Sequence, residues 1–260
     1  MNILYIGDIM GRPGIDVVAT VLPKLKQERG VDFVIAQAEN VTEGRGMSVE
    51  DMQELQGYGV DFFTGGNWSL FREGVLADEH PVIRPANYPE GIPGVGYKIL
   101  KHATCSVLVV SLLGKIVGKD ADKPVKNPLQ TIDEILELVT DKPDAIVVNF
   151  HGDYSSEKRV IGQYLDGRVT AVIGDHWHVP TADAMVLPGG TAHMTDVGMC
   201  GSLHSSLGVK TEVIVSRWKS GKVSRNELET TGPMQFNAAL ISANEHGLAG
   251  TIEHIQTITV

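Results

Sequence analysis

The chain has 260 residues, 42% hydrophobic and 21% charged, enough for one large soluble domain with a sizeable core. Its 32 acidic against 22 basic residues give a net charge of -10, which excludes nucleic-acid binding through bulk electrostatics. A small anionic substrate would need a local positive centre, such as a bound metal.

The opening Met-Asn-Ile-Leu-Tyr-Ile-Gly-Asp enters a strand at once and lacks the form of a signal peptide. No apolar run approaches the ~20 residues of a membrane span, so the expected location is cytoplasmic. Asn2 to Ile6 reads as the first strand, ending in Gly7-Asp8, and Gly11-Arg12-Pro13-Gly14 as a turn. Ile15, Val18, Ala19, Leu22 and Leu25 recur at helical spacing. Pro23 predicts a kink or restart in that helix, and Gly30 closes it. Asp32 to Gln37 is a second strand, ending in Ala38-Glu39-Asn40. After a Gly- and Thr-rich loop, Ser48 is placed to cap a helix through about Tyr58. Asp61 to Thr64 is a third strand, ending in Gly65-Gly66-Asn67. Alternating strands and helices argue for parallel strands with right-handed crossovers. Sites in such sheets lie at the carboxyl ends of strands, which gathers Asp8, Glu39, Asn40 and Asn67 along one edge.

Four prolines between Phe71 and Val95 break the pattern. The stretch at about 72–127 reads as an irregular excursion, a small lid or auxiliary region, within a single domain of residues 1–260. Inside it, Tyr97 to Lys101 and Ser106 to Leu113 read as antiparallel strands, and Gly114 to Asn127 as a mobile loop. Pro128 suits the first position of a helix. Asp144 to Asn149 is a buried strand ending in Phe150-His151-Gly152-Asp153. Ser155 or Ser156 is the expected cap of a helix through about Leu165. Val169 to Ile173 is another strand, ended by Gly174, and His176 and His178 follow. In extended backbone, residues two apart point the same way, so both imidazoles could face one metal. Ala184 to Leu187, Thr191 to Met194, Glu212 to Arg217, Phe236 to Ala243 and Ile252 to Val260 read as largely antiparallel strands. The predicted architecture is two packed sheets with helices outside. Cys105 and Cys200 form no Cys-x-x-Cys pair and read as buried thiols.

Each candidate has a plainer reading. Asp8 alone suits a helix cap, Asn67 an Asx-turn, His151 a hydrogen-bonded core position. Seven such groups at five strand ends (Asp8, Glu39, Asn40, Asn67, His151, His176, His178) point instead to a metal site. Mixed oxygen and imidazole ligands suit iron, manganese or zinc. Two ions ~3.5–4 Å apart would use all seven, with Glu39 as the natural bridge.

The order Gly7-Asp8, Glu39-Asn40, Gly66-Asn67, His151, Gly174-x-His176-x-His178 resembles the calcineurin-like metallophosphoesterase superfamily, and more closely its bacterial YmdB-type branch. The similarity extends to Gly7-Asp8-Ile9-x-Gly11-Arg12-Pro13-Gly14, Ser156-Glu157-Lys158, Tyr164-Leu165-Asp166-Gly167, His178-Val179-x-Thr181-Ala182-Asp183 and Thr195-Asp196-Val197-Gly198-Met199. The resemblance implies a four-layer α/β sandwich and two metal ions, iron or manganese, with zinc an option. It also implies hydrolysis of small phosphoesters by a metal-bridging hydroxide, with 2′,3′-cyclic nucleotides such as 2′,3′-cyclic AMP as substrates. By motif, Asp8, Glu39, Asn40 and His178 would hold one ion, and Glu39, Asn67, His151 and His176 the other. Glu39 and Asn67 would then be catalytic, with Asn40 and Trp68 touching substrate.

One position departs from the pattern. The usual Gly-Asn-His is here Gly66-Asn67-Trp68, and an indole N–H cannot serve as a general acid near neutral pH. Trp68 could stack on a nucleobase or pack as an apolar plug, and His193 is a candidate substitute donor or a core histidine. Two rivals follow: a non-enzymatic metal-binding regulator, and a Rossmann domain suggested by Gly7-x-x-x-Gly11-x-x-Gly14, whose spacing does not match Gly-x-Gly-x-x-Gly. An irregular Pro-rich segment and exposed strands could support a homo-oligomer.

Overall fold

A computed structural model describes residues 1–102, 105–118 and 124–260. Strands β1 (Asn2–Ile6), β3 (Phe33–Gln37) and β4 (Phe62–Thr64) run parallel, with β2 (Asp8–Ile9) beyond the end of β1. They belong to a seven-stranded sheet ordered β2-β11-β12-β1-β3-β4, with β13 also paired to β12. Here β11 is Met199–Ser202, β12 Met234–Ala243 and β13 Ala249–Thr259. The second sheet has six strands, ordered β5-β6-β7-β8-β10-β9. These are β5 (Tyr97–His102), β6 (Cys105–Leu113), β7 (Ala145–His151), β8 (Ala171–Asp175), β9 (Met185–Val186) and β10 (Ala192–Met194).

Period-two side-chain alternation builds the layers. Leu4 and Ile6 of β1 point to one core with α1 (Gly11–Arg29) and α2 (Val49–Gly57), while Ile3 and Tyr5 point to a core between the sheets. In β7, Val147 faces that middle core, and Val148 and Phe150 face α3 (Pro128–Leu138) and α4 (Ser155–Tyr164). The result is a four-layer αββα sandwich, as the sequence resemblance implies, with the carboxyl ends of β1–β4, β7 and β8 brought to one edge.

Several local features follow from sequence. Ser48 Oγ accepts from the Asp51 N–H and caps α2, and Asn127 accepts from the Leu129 N–H and caps α3 with Pro128 inside. Gly30 ends α1 in the left-handed conformation. Other expectations need correction. The Gly11–Gly14 segment is the first turn of α1, not a separate turn, and α1 continues through Pro23. Pro23 is exposed, so its ring lies off the packed face, while Val17, Val18 and Leu22 hold the helix on the sheet. Ser155 lies inside α4, whose cap residue Tyr154 makes no side-chain cap bond. β8 continues through Gly174 because its backbone pairs with β7 as far as Asp175.

Glu212 to Arg217 is not a strand but lies in α5 (Thr211–Ser220). The β-branched run Val213-Ile214-Val215 suggests a strand, but only Val213 and Ile214 pack on a core cluster and Val215 is exposed. Glu212 in the first turn, Arg217 and Lys219 in the last, and left-handed Gly221 are helix-end signals. The C-terminal strands are mixed. β12 and β13 are antiparallel, whereas β10 is parallel to β8 and β11 parallel to β2. A 3-10 helix at Ser69–Leu76 has no counterpart in the sequence pattern. Cys200 is buried and Cys105 only partly so. Part of the expected mobile loop, residues 119–123, lies outside the described residues. Among the described residues no helix is long and apolar enough to cross a membrane.

Candidate metal centre

The seven candidates meet where the sheet ends converge. Asp8 (β2), Glu39 and Asn40 (after β3) and His151 (end of β7) are buried. The Asn40 amide donates to Asp8 Oδ1 at 3.1 Å and to Glu39 Oε1 at 3.4 Å, and lies 3.3 Å from His178 Nε2. His178 Nε2 is itself 3.8 Å from Asp8 Oδ1. On the other side of Glu39, its Oε1 is 3.2 Å from His151 Nε2, which also lies 3.0 Å from Asn67 Oδ1. The His151 and His176 rings meet edge to face with centroids 4.4 Å apart. One ligand atom each from Glu39, His151 and His176 lies within 4.8 Å of the others. Two groups of donors therefore share Glu39.

His176 and His178 reach these groups by a route that extended backbone does not offer. Both have positive φ, 105° and 62°, so the chain twists between them and the imidazoles diverge. His176 goes to His151 and Glu39, and His178 to Asp8 and Asn40. The Trp177 N–H between them donates to Asp196 Oδ2 at 2.9 Å, and the His176 N–H donates to Asp8 Oδ2 at 3.2 Å. Gly66 is required for a different reason. A Cβ there would stand 2.3 Å from Glu39 Oε2 and 2.5 Å from His151 Cδ2, so no side chain fits.

The electrostatics are those of crowded, buried charge. Burial, and next the charge of Asp175, raise Asp8 well above the usual carboxyl range. Burial alone would raise Glu39, but the charge and hydrogen bond of His151 outweigh it and hold Glu39 below its ordinary value. For His151, burial opposes the charge, yet Glu39 and Asp175 raise its imidazole well above its ordinary value. Burial, with the charge of His151 adding at His176, pushes His176 and His178 down to about 4. Both are thus neutral at pH 7, the form that binds a metal. His176 Nδ1 is buried with no hydrogen-bond partner. An orphaned imidazole nitrogen beside two groups of carboxylate, amide and imidazole donors that share Glu39 fits bound cations better than any uncharged arrangement.

Several functional side chains lie outside the candidates that sequence singles out. Asp175 is fully buried and accepts from His151 Nδ1 at 2.7 Å, Asn149 Nδ2 at 2.6 Å, Tyr5 Oη at 2.9 Å and Gln37 Nε2 at 3.0 Å. It fixes the His151 ring so that Nε2 faces Glu39 and Asn67. Asp153 Oδ1 lies 3.1 Å from His176 Nε2. Lys158, also fully buried, donates to Asp196 Oδ2 and to the Asp175 carbonyl, both at 2.7 Å. The signal is present in part, since Lys158 and Asp196 stand in the motifs quoted above and Asp175 between Gly174 and His176.

His193 is not at the centre. It is buried on β10 against Gly162 of α4, with Nδ1 3.1 Å from the Val172 carbonyl. The Trp68 N–H donates to Glu39 Oε2 at 3.0 Å, and its half-buried ring lies under the Arg45 guanidinium at 4.7 Å and edge-on to Phe71 at 6.0 Å.

The chain is similar to known proteins over most of its length. A 2′,3′-cyclic-nucleotide 2′-phosphodiesterase of Bacillus subtilis is 38% identical over 223 residues, covering 85% of this chain and 83% of its own. A crystal structure of a novel phosphatase from Mycoplasma pneumoniae superposes with a TM-score of 0.91 at 28% identity, over 99% of this chain and 93% of its own. The crystal structure of a hypothetical protein from Thermus thermophilus superposes with a TM-score of 0.90 at 35% identity, over 99% of both chains. The model of the YmdB-like protein family matches residues 4–255, and with the ligand edge and the αββα layers described above, the chain belongs to that family.

Proposed function

We propose that the chain is a metal-dependent phosphodiesterase whose substrates are small phosphodiesters, 2′,3′-cyclic nucleotides foremost. The observation that carries this reading is the pair of donor groups sharing Glu39. Asp8, Glu39, Asn40 and His178 would hold one ion, and Glu39, Asn67, His151 and His176 the other, with iron or manganese best suited to the mixed ligands and zinc an alternative. Such a pair, when bound, lowers the pKa of a water, orients phosphate oxygens and offsets transition-state charge. The protein's part is to hold the ligands. Asp175 sets the His151 ring, and Glu39 is held as a carboxylate. Asn40 can turn its amide to present Oδ1, since the oxygen and nitrogen positions are interchangeable. The Bacillus subtilis relative supports the substrate class. A cytoplasmic location and a homo-oligomeric assembly complete the reading.

Trp68 shapes the choice of substrate. Its backbone is tied to Glu39 and its ring to Arg45, and its indole cannot protonate a leaving group. The strained five-membered ring of a 2′,3′-cyclic phosphate needs less help from an acid than an unstrained alkyl ester does. The same tryptophan is the observation that favours the alternative, a metal-binding regulator without turnover. One assay separates them, with manganese-loaded wild type and Trp68→His measured on an aryl diester, on 2′,3′-cyclic AMP and on an unactivated alkyl diester. Wild type is expected to cleave the first two. Trp68→His should gain most on the third, by up to ~10²-fold, the lower range for general acid catalysis. Full metal occupancy with no turnover by either protein would leave only the regulator.

A further inference from the structure

Beside the metal centre lies a cleft of about 130 Å³ lined by three arginines, Arg45, Arg72 and Arg225, with Phe71 and Leu228 on its apolar side. It is linked to the centre through the chain on either side. The loop carrying Arg45 follows Asn40 and is tied back by the Gly46 N–H donating to the Glu39 carbonyl. Arg45 lies over the ring of Trp68, and the backbone N–H of Trp68 donates to Glu39.

Three cations at one place are unexpected in a chain with a net charge of -10. Among the described residues, only one of them meets a carboxylate, and that carboxylate also lines the cleft. Arg72 lies 3.6 Å from the exposed Glu43, and among the described residues no carboxylate pairs with Arg45 or Arg225. Arg45 instead places its guanidinium carbon 4.7 Å from the centre of the Trp68 ring and 5.9 Å from that of Phe71. A guanidinium held against aromatic rings rather than by a carboxylate keeps N–H groups available for an anion. The backbone beneath is also held, because Arg72 Nε donates to the Arg45 carbonyl at 3.2 Å. A guanidinium without a carboxylate partner, with two more lining the same cleft, supplies the charge and the donors of a phosphate site.

We propose that the Arg45–Arg72–Arg225 cleft binds a second phosphate of the substrate, distinct from the ester placed at the metal centre. On a nucleoside 2′,3′-cyclic phosphate, that group is carried on the ribose 5′ oxygen, either as a terminal monoester or as the diester to a preceding nucleotide. Selectivity for such substrates arises at the cleft, without the extended basic surface that the overall charge excludes. The proposal rests on the phosphodiesterase reading.

The test compares full-length manganese-loaded protein on three substrates: adenosine 2′,3′-cyclic phosphate, its 5′-phosphorylated form, and a dinucleotide ending in the cyclic phosphate. Wild type is expected to prefer a substrate with the extra phosphate by about tenfold in kcat/KM, and rising salt should erode that preference. Arg225→Gln should cut the ratio severalfold, and Arg45→Gln/Arg225→Gln should bring it near one. The monoester and dinucleotide arms show which source of the phosphate the cleft takes. Calorimetry with adenosine 3′,5′-bisphosphate against adenosine 3′-monophosphate keeps the two ideas apart. If nothing is turned over but the bisphosphate still binds more tightly in an arginine-dependent way, the cleft stands and the enzyme reading falls. Equal affinities and equal kcat/KM in wild type, or ratios unchanged in the double variant, overturn the cleft.

Discussion

Asp175 shows how far a candidate ligand depends on the groups behind it. His151 has an acceptor on each ring nitrogen, Asp175 on Nδ1 and Glu39 with Asn67 on Nε2. If Nδ1 lost its charged acceptor, the ring could tilt or change tautomer, and Nε2 would no longer be presented as a basic lone pair. Asp175→Asn should therefore weaken metal binding about 10–100-fold, the usual cost of removing such a partner. Manganese titration followed by calorimetry measures it, and an unchanged affinity would show that Gln37 and Asn149 position the ring without the carboxylate. At this scale the candidate ligands are legible in the sequence because each stands directly after an apolar run. Asp175 is not, because its role depends on Tyr5, Gln37, Asn149 and His151, contributed by three other strands. Nor can spacing reveal that His176 and His178 diverge, since both take positive φ in a turn whose N–H groups at His176 and Trp177 bond Asp8 and Asp196.

At the level of elements, a buried ion pair holds the two-histidine turn in place. Lys158 on α4 reaches past the end of β8 to Asp196, which also accepts the Trp177 and Gly198 N–H groups. Its ammonium lies 4.1 Å from the centre of the Trp177 ring. Burial raises the Asp196 carboxyl even with Lys158 lowering it, so removing the lysine leaves a charge with little solvation. Lys158→Met is expected to cost about 3–5 kcal/mol, read as a lower midpoint in urea at constant m. Adding Asp196→Asn should recover part of the loss, because no unpaired charge then remains buried. No recovery would mean that the lysine acts through packing on Trp177. Strands and helices with strong periodicity are legible in the sequence, β1, β3, β6, α2 and α3 among them. α5 reads as a strand because three β-branched residues outweigh its end signals. β11 escapes a sequence reading because Met-Cys-Gly-Ser carries no strand pattern and forms a strand only by pairing with β2 and β12.

Across the whole molecule, the candidate centre is where the two sheets are joined by polar groups rather than by the apolar core. Asp8, Glu39, Asn40 and Asn67 come from the seven-stranded sheet, and His151, His176 and His178 from the six-stranded one. Asp8 is destabilised as a carboxylate by burial and by Asp175, a strain that a divalent cation would relieve. Metal binding should therefore act as a cross-link between the sheets, and a ligand that binds only the folded state stabilises it by mass action. At a free metal concentration 100 times Kd the gain is about 2.7 kcal/mol for one site, or roughly 5 °C in Tm or more for a chain of this size. Calorimetric scans of wild type with manganese, and again after chelation, should show that rise and its reversal. In Glu39→Ala the shared ligand of both donor groups is gone, so the metal-dependent rise should vanish rather than halve. A residual half-sized shift would mean that one group of ligands holds its ion without Glu39. An undiminished shift would place the stabilising metal elsewhere on the protein.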